Sequence, residues 1–331
     1  MNAPSSIRLG AYLEAYLRPL AAWLARPDVT DIYVNGPGSV WLETLGGGSE
    51  RHDAPELGEL ALWRLAVQIA ASTHQAISRE HPILSASLPD GARVQIIAPP
   101  ATRSGLVMAI RKQAVHDLGL DDYAALGAFA DTATDARHDE AELELRSLLA
   151  RRELPAFFRL AIRLRRNILI SGGTSTGKTT FLNALMREIP PDERLVSIED
   201  TPEVQLERPN AVGLIAVRGG QGEASVGTED LLQATLRLRP DRIILGELRG
   251  AEAFSFLRAV NSGHPGSITT VHADNPAAAL DQIALMVMLS GAAMGRAEVR
   301  DYVSNVIDIS VQLVRTNGRR RVSEIRLRER A

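Results

Sequence analysis

With 331 residues the chain exceeds the usual size of one domain, so about two are expected, each large enough for its own core. Lys plus Arg number 37 against 40 Asp plus Glu, a balance near −3 that demands neither nucleic acid nor an anionic membrane as partner. Cysteine is absent, which excludes disulfides, thiolate catalysis and any Cys-ligated zinc.

Residues 1–10 carry no charged start ahead of an apolar core, so no signal peptide is expected. The longest apolar stretch, residues 283–295, is shorter than the roughly 20 residues that span a bilayer, and a soluble, cytoplasmic chain is the expectation. Residues 7–24 repeat leucine at helical spacing (Leu9, Leu13, Leu17, Leu20, Leu24) and end at Arg26-Pro27-Asp28. Residues 31–43 read as strand, tight turn at Gly36-Pro37-Gly38, strand. After a glycine-rich turn at 46–49, residues 56–72 form a second amphipathic helix, and 83–98 and 105–111 supply further strands. Residues 1 to about 130 thus read as an α+β domain. The polar run 131–142, without large apolar residues, is the expected linker, and no internal repeat is evident.

Residues 143–164 are helical in pattern, with Pro155 opening a second helix. Beyond them, apolar runs at 167–170, 194–198, 242–245 and 267–271 alternate with helical patterns at 179–189, 228–238, 251–261 and 276–289, which predicts a mostly parallel sheet. The 276–289 pattern fits the core or a subunit interface. Residues 308–314 and 321–327, around Thr316-Asn317-Gly318, read as a hairpin added to that sheet.

The first apolar run leads into Gly172-Gly173-Thr174-Ser175-Thr176-Gly177-Lys178-Thr179-Thr180, which fits the G-x-x-x-x-G-K-[ST] pattern of a P-loop. Backbone N–H groups of Gly173 to Thr180 would cradle phosphates at a helix N-terminus, Lys178 would neutralise the β/γ-phosphates, and Thr179 would ligate Mg²⁺. The only lysines are Lys112 and Lys178, so a compact ammonium is kept where a planar guanidinium fits poorly. In a parallel sheet ligands gather at the carboxyl ends of the strands. Three groups stand there: Glu199 and Glu203 of the acid box 198–203, Glu247 after 242–245, and His272 after 267–271. Glu247 is the expected general base or water positioner, Glu199 and Glu203 are candidates to hold Mg²⁺ through water or to orient the attacking water, and His272 is placed to sense the γ-phosphate. His264, at the other end of its strand, is too distant to share a metal with His272 and is expected to fix a turn.

These motifs, with Leu236-Arg237-Leu238-Arg239-Pro240-Asp241-Arg242 and Gly263-His264-Pro265-Gly266-Ser267, resemble in identity and order those of the type II/type IV secretion traffic ATPases, most closely the DNA-transfer or effector-export branch of type IV secretion. Val34-Asn35-Gly36-Pro37-Gly38 and Gly91-Ala92-Arg93-Val94-Gln95 are similar too, so the resemblance covers nearly the whole chain. It implies a RecA-like ATPase domain over residues 136–331, an α+β domain over 1–135, and ATP with Mg²⁺ as cofactors. It also implies a homohexamer at the cytoplasmic face of the inner membrane, peripherally bound and partnered by inner-membrane and coupling components of the secretion machine. Arg93 and Arg111 resemble the arginines of the first domain that reach the phosphates, with Arg103 a weaker candidate. The strand before Glu247 ends Leu245-Gly246-Glu247 without an aspartate for magnesium, which leaves Thr179, phosphates, water and Glu199 as ligands and the division among Glu199, Glu203 and Glu247 open. One of Arg237, Arg239, Arg242 and Arg249 is a candidate to act across the ring.

The absence of cysteine argues against the pilus-extension and type II branches, and the Pro-Gly-Ser segment against a retraction motor. A hexameric nucleic-acid motor is the other reading; aromatic residues are only 4% of the chain and few flank arginines, so stable nucleic-acid binding is not expected. A non-hydrolysing assembly switch is a third, opposed by the intact Lys178, Thr179 and Glu247.

Overall fold

The computed structural model describes residues 10–113, 119–125, 127–130, 132, 140–217 and 222–328. In the first third, α1 (Ala11–Leu17) and α2 (Ala21–Ala25) are separated by a 3₁₀ turn at Arg18–Leu20. The single helix expected over 7–24 is broken there because Pro19 has no N–H to donate to the preceding turn; Leu9 lies outside the described residues. Strands β1 (Val29–Val34), β2 (Gly38–Thr44) and β3 (Ser49–Ala54), helix α3 (Glu59–Ser72), then β4 (Ile83–Ser87), β5 (Arg93–Ile97) and β6 (Val107–Arg111) complete a six-stranded sheet of order β3-β2-β1-β6-β5-β4. Every neighbouring pair in it is antiparallel. Strand β3 escapes a hydrophobic reading because it is an edge, Ser-Glu-Arg-His-Asp-Ala, paired to β2 on one side and tied to the helical layer by Arg26, which donates to Glu50 at 2.7 Å. One face of the sheet buries Ile32, Val34, Val40, Leu42, Val94, Ile96 and Met108 under Leu62, Leu65 and Ile69 of α3.

Helix α4 (Leu120–Ala125) follows, and α5 (Glu140–Ala150) and α6 (Leu154–Arg163) lead into the second sheet. The expected linker falls partly outside the described residues, at 131 and 133–139, while Glu140 to Glu142 already belong to α5. The second sheet contains β7 (Ile168–Gly172), β8 (Leu195–Glu199), β9 (Ala211–Ile215), β10 (Arg242–Leu245), β11 (Ile268–Val271), β12 (Ile309–Thr316) and β13 (Arg319–Leu327). Its order is β13-β12-β7-β11-β10-β8-β9, parallel throughout except for the terminal β12–β13 hairpin. Strands β7, β8, β10 and β11 are buried along their whole length, which is why they read as continuous apolar runs. Strand β9, as long as β7 and β8, was not predicted because Gly213 interrupts its apolar run at the centre.

The helices sort to the two faces. α5, α6 and α7 (Lys178–Met186) cover Ile168, Ile170, Ile244 and Ile268. α8 (Thr228–Leu238), α9 (Glu252–Asn261), α10 (Pro276–Leu289) and α11 (Arg296–Val306) cover Leu169, Val196, Ile243 and Val271. α11, unpredicted because its sequence Arg-Ala-Glu-Val-Arg-Asp-Tyr is mostly polar, inserts Val299, Val303 and Val306 into that layer. α10 is a core helix through Leu280, Ile283 and Val287, with Leu285, Met288 and Leu289 left on its outer face. Asn275 caps it, its side chain accepting the Ala278 N–H at 2.8 Å. Asn275→Ala is expected to cost about 1 kcal/mol, read as a lower denaturant midpoint. Among the described residues no helix is long and apolar enough to cross a membrane.

The two sheets meet. Tyr33, Ile97, Val107 and Ala109, on the first sheet's other face, join the core layer of α8. Thr102 bridges Leu214 of β9. Buried Arg194 donates to Asn35 and Asn210, both at 2.7 Å, while its guanidinium lies 4.1 Å from the Tyr33 ring centre; Arg239 donates to Asp31 at 3.0 Å.

Candidate nucleotide site

β7 hands the chain to α7 through residues 172–178, and the turn depends on two of its glycines, Gly172 and Gly177. A Cβ on Gly172 would stand 2.6 Å from Thr176 Oγ1 and 2.7 Å from the Leu313 carbonyl oxygen. Gly177 takes φ +94°, a left-handed conformation that glycine adopts without a side-chain clash. Lys178, the first residue of α7, reaches back over the loop and donates to the carbonyls of Gly172 at 3.0 Å and Gly173 at 3.3 Å. Burial holds its pKa below the usual lysine value, against the pull of the Glu247 carboxylate.

In front of the loop lies a cavity of about 390 Å³. It gathers Thr174, Ser175, Thr176, Gly177, Lys178, Thr179 and Thr180 with Glu199, Glu203, Glu247 and His272, residues drawn from the ends of four strands. His272 Nε2 stands 2.8 Å from Glu247 Oε1 and 3.3 Å from Lys178 Nζ. The other oxygen of Glu247 accepts from Arg249 Nε at 2.5 Å, and this bond is the main reason the Arg249 pKa is raised. Arg249 also faces Asp200 at 3.3 Å. A carboxylate so placed, part-buried and held by a histidine and an arginine, can take a proton from water without swinging away.

Glu203 Oε2 accepts from Thr179 Oγ1 at 2.9 Å, which sets a hydroxyl and a carboxylate together at the start of α7. Two hard oxygen donors beside a phosphate cradle fit Mg²⁺. Glu199 does not stand ready for that task. Its Oε1 accepts the N–H groups of Glu203 and Val204 at 3.0 and 2.8 Å, and its Oε2 is paired with Arg103. Both Glu199 oxygens are thus engaged inside the fold, whereas Glu203 meets the Thr179 hydroxyl at the cavity. Among the described residues no group of three or more His, Asp or Glu side chains forms a metal cage.

The structure does not bring Arg93 and Arg111 to this cavity. They are cross-strand partners on β5 and β6 and line a separate cavity of about 580 Å³ with Leu236, Arg237 and Arg239, because β5 and β6 pack against α8. Arg103 reaches the acid box instead, where burial lowers its pKa. Of the four arginines around the Glu247 strand, Arg237 donates to Ser85, Arg239 to Asp31 and Arg242 to Glu193; Arg249 is the one that lines the cavity. His264 Nδ1 lies 2.7 Å from the Pro240 carbonyl oxygen, fixing the turn ahead of β11. Arg320 of β13 was not foreseen as a lining residue; its Cδ would lie 3.0 Å from a Cβ on Gly177. Its only trace in the sequence is the run Arg319-Arg320-Arg321, which by itself reads as a solvated face.

A model of the family described as type II/IV secretion system protein matches residues 15–320. The VirB11 type IV secretion protein of Bartonella quintana is 39% identical over 324 residues, covering 93% of this chain and 91% of that protein. PtlH of Bordetella pertussis, also a type IV secretion protein, is 40% identical over 332 residues, 96% of each chain. The crystal structure of the VirB11 ATPase of Brucella suis, in complex with sulphate, superposes with a TM-score of 0.88 at 36% identity, covering 96% of this chain and 98% of that one. With the family match spanning most of its length and relatives this similar end to end, the chain belongs to the type II/IV secretion system protein family.

Proposed function

We propose that the chain is the ATP-hydrolysing motor of a type IV secretion system, working as a homohexameric ring at the cytoplasmic face of the inner membrane. The observation that carries the reading is the convergence, in one cavity, of a P-loop lysine, a Thr179–Glu203 pair and a part-buried Glu247 held by His272 and Arg249. Residues 136–331 act as a RecA-like ATPase domain and residues 1–135 as the smaller domain that moves with nucleotide.

In the reaction, Lys178 leaves the carbonyls of Gly172 and Gly173 for the β/γ-phosphate oxygens of ATP. Glu247 orients water on the γ-phosphorus and accepts its proton as the P–O bond to ADP breaks; His272, between Glu247 and Lys178, makes the carboxylate's position depend on the phosphate. Magnesium, held through Thr179 and Glu203, neutralises charge on the phosphate oxygens when bound. Arg93 and Arg111 lie away from the P-loop of their own chain, and in a ring they serve the nucleotide of a neighbouring subunit. Arg320 stands over the P-loop turn opposite Arg315 across the hairpin, a like-charge pair that favours an anion between them. Arg320→Ala is expected to weaken ADP binding about five- to tenfold, the scale of one charge-assisted hydrogen bond, measured by fluorescent-nucleotide titration.

The test of the whole reading is turnover against protein concentration while light scattering reports mass. A hexamer that forms as activity rises is the expected result; full activity in a monomer overturns the ring.

A further inference from the structure

Arg103 belongs to the first sheet's connection between β5 and β6, yet its side chain works in the second sheet. Its backbone N–H donates to the Gly213 carbonyl of β9 at 3.0 Å, its Nη1 donates to the Val204 carbonyl at 2.8 Å, and its Nη2 is paired with Glu199. Glu199, with a side chain only 3% exposed, accepts the N–H groups of Glu203 and Val204 with its other oxygen. One guanidinium therefore grips both ends of the turn 199–204. The absence of a side chain at Gly213 lets it pass: a Cβ there would stand 2.6 Å from Arg103 Cδ and 3.0 Å from Nε.

The geometry points to Arg103 as a positioning residue for the metal end of the nucleotide site. Acting through Glu199, it fixes the backbone of Glu203 and with it the carboxylate that meets Thr179. Without Arg103, Glu199 is a buried charge lacking its counter-charge, and it cannot keep its place under the turn. Helix α7 keeps a separate hold, since Asn183 donates to the Glu203 carbonyl at 3.2 Å and accepts the Gln205 N–H at 2.9 Å. Loss of Arg103 thus loosens the turn without detaching it. Because the arginine comes from the first sheet, the seating of that sheet on β9 is transmitted to Thr179. The inference rests on the ATPase reading for its consequence, though not for the contact itself.

Two variants test it in the full chain: Arg103→Met removes the grip, and Gly213→Ala leaves Arg103 and Glu199 intact but pushes the guanidinium aside. Hydrogen exchange over residues 199–206 is measured without nucleotide, and the affinity for a fluorescent ADP is measured with Mg²⁺ and with EDTA. Both variants should exchange faster at the Glu203 and Val204 amides. Both should lose about tenfold of the Mg²⁺-dependent gain in affinity while the EDTA affinity stays within about twofold, as expected for a residue that orients a ligand without being one. Unchanged exchange in both variants overturns the proposal. So does an equal loss of affinity with Mg²⁺ and with EDTA, which marks a merely structural role, or a wild type whose ADP affinity ignores Mg²⁺. A wild type that binds no nucleotide under either condition defeats the ATPase reading, while the exchange data still decide whether Arg103 holds the turn.

Discussion

Lys178→Ala should reduce ATP turnover by about 10²–10³ while leaving the fold in place. The ammonium is the compact cation at the glycine-loop end of the cavity, and its own partners are two loop carbonyls and His272, groups that water can satisfy once it is gone. Loss should therefore fall on phosphate binding and transition-state charge rather than on stability. Lys178→Arg should not rescue it: a planar guanidinium is bulkier than an ammonium, and the loop has no room at Gly172, where even a Cβ would meet Thr176 and the Leu313 carbonyl. Steady-state turnover with fluorescent-nucleotide binding checks both variants, and a normal rate in Lys178→Ala sinks the hydrolysis mechanism outright.

Glu247→Gln should lower turnover by about 10²–10⁴ with ATP still bound, the range for loss of a general base. The amide keeps its oxygen for Arg249, which can only donate, turns its NH₂ to the His272 ring and has roughly the same volume, so the cavity persists while proton acceptance is lost. Two electrostatic consequences separate this from a packing defect. Arg249 loses the charged partner that chiefly raises its pKa, and Lys178, whose pKa is lowered by burial and lifted by Glu247, falls further. Lysine binds phosphate in its charged form, which is present below its pKa, so the nucleotide affinity of the Gln variant should decline at a lower pH than that of the wild type. Single-turnover rates and binding from neutral to alkaline pH read both effects. If Glu203→Gln instead abolishes the chemical step while Glu247→Gln retains it, the base belongs beside Thr179 and the assignment reverses.

The division among the three glutamates shows how far the residues could be read alone. Their placement at strand ends followed from apolar runs ending in acid, a local pattern. Their roles depended on partners more than twenty residues away. Glu203 meets Thr179, 24 residues earlier, and Glu247 meets His272, 25 residues later, and the order of strands in the sheet fixes both encounters. Glu199 turned out to be held by an arginine from the other sheet. Nothing local distinguishes Arg103 from any exposed arginine on a Pro-rich loop, and the strand it packs against, β9, has its apolar run broken by Gly213.

By itself the sequence determined the P-loop, the parallel strands buried on both faces and the acids that end them. Each of these is set by residues within a turn or a strand: glycine where φ is positive, apolar runs where both faces are covered, a proline where a helix opens or breaks. The tertiary structure alone decided how the two sheets sit together, and hence that Arg103 enters the acid box, that Arg93 and Arg111 face α8 and that Arg320 covers the P-loop. An arginine is long, flexible and charged wherever it occurs, so its role is fixed by what the fold places within its reach, and that comes from packing over long stretches of chain.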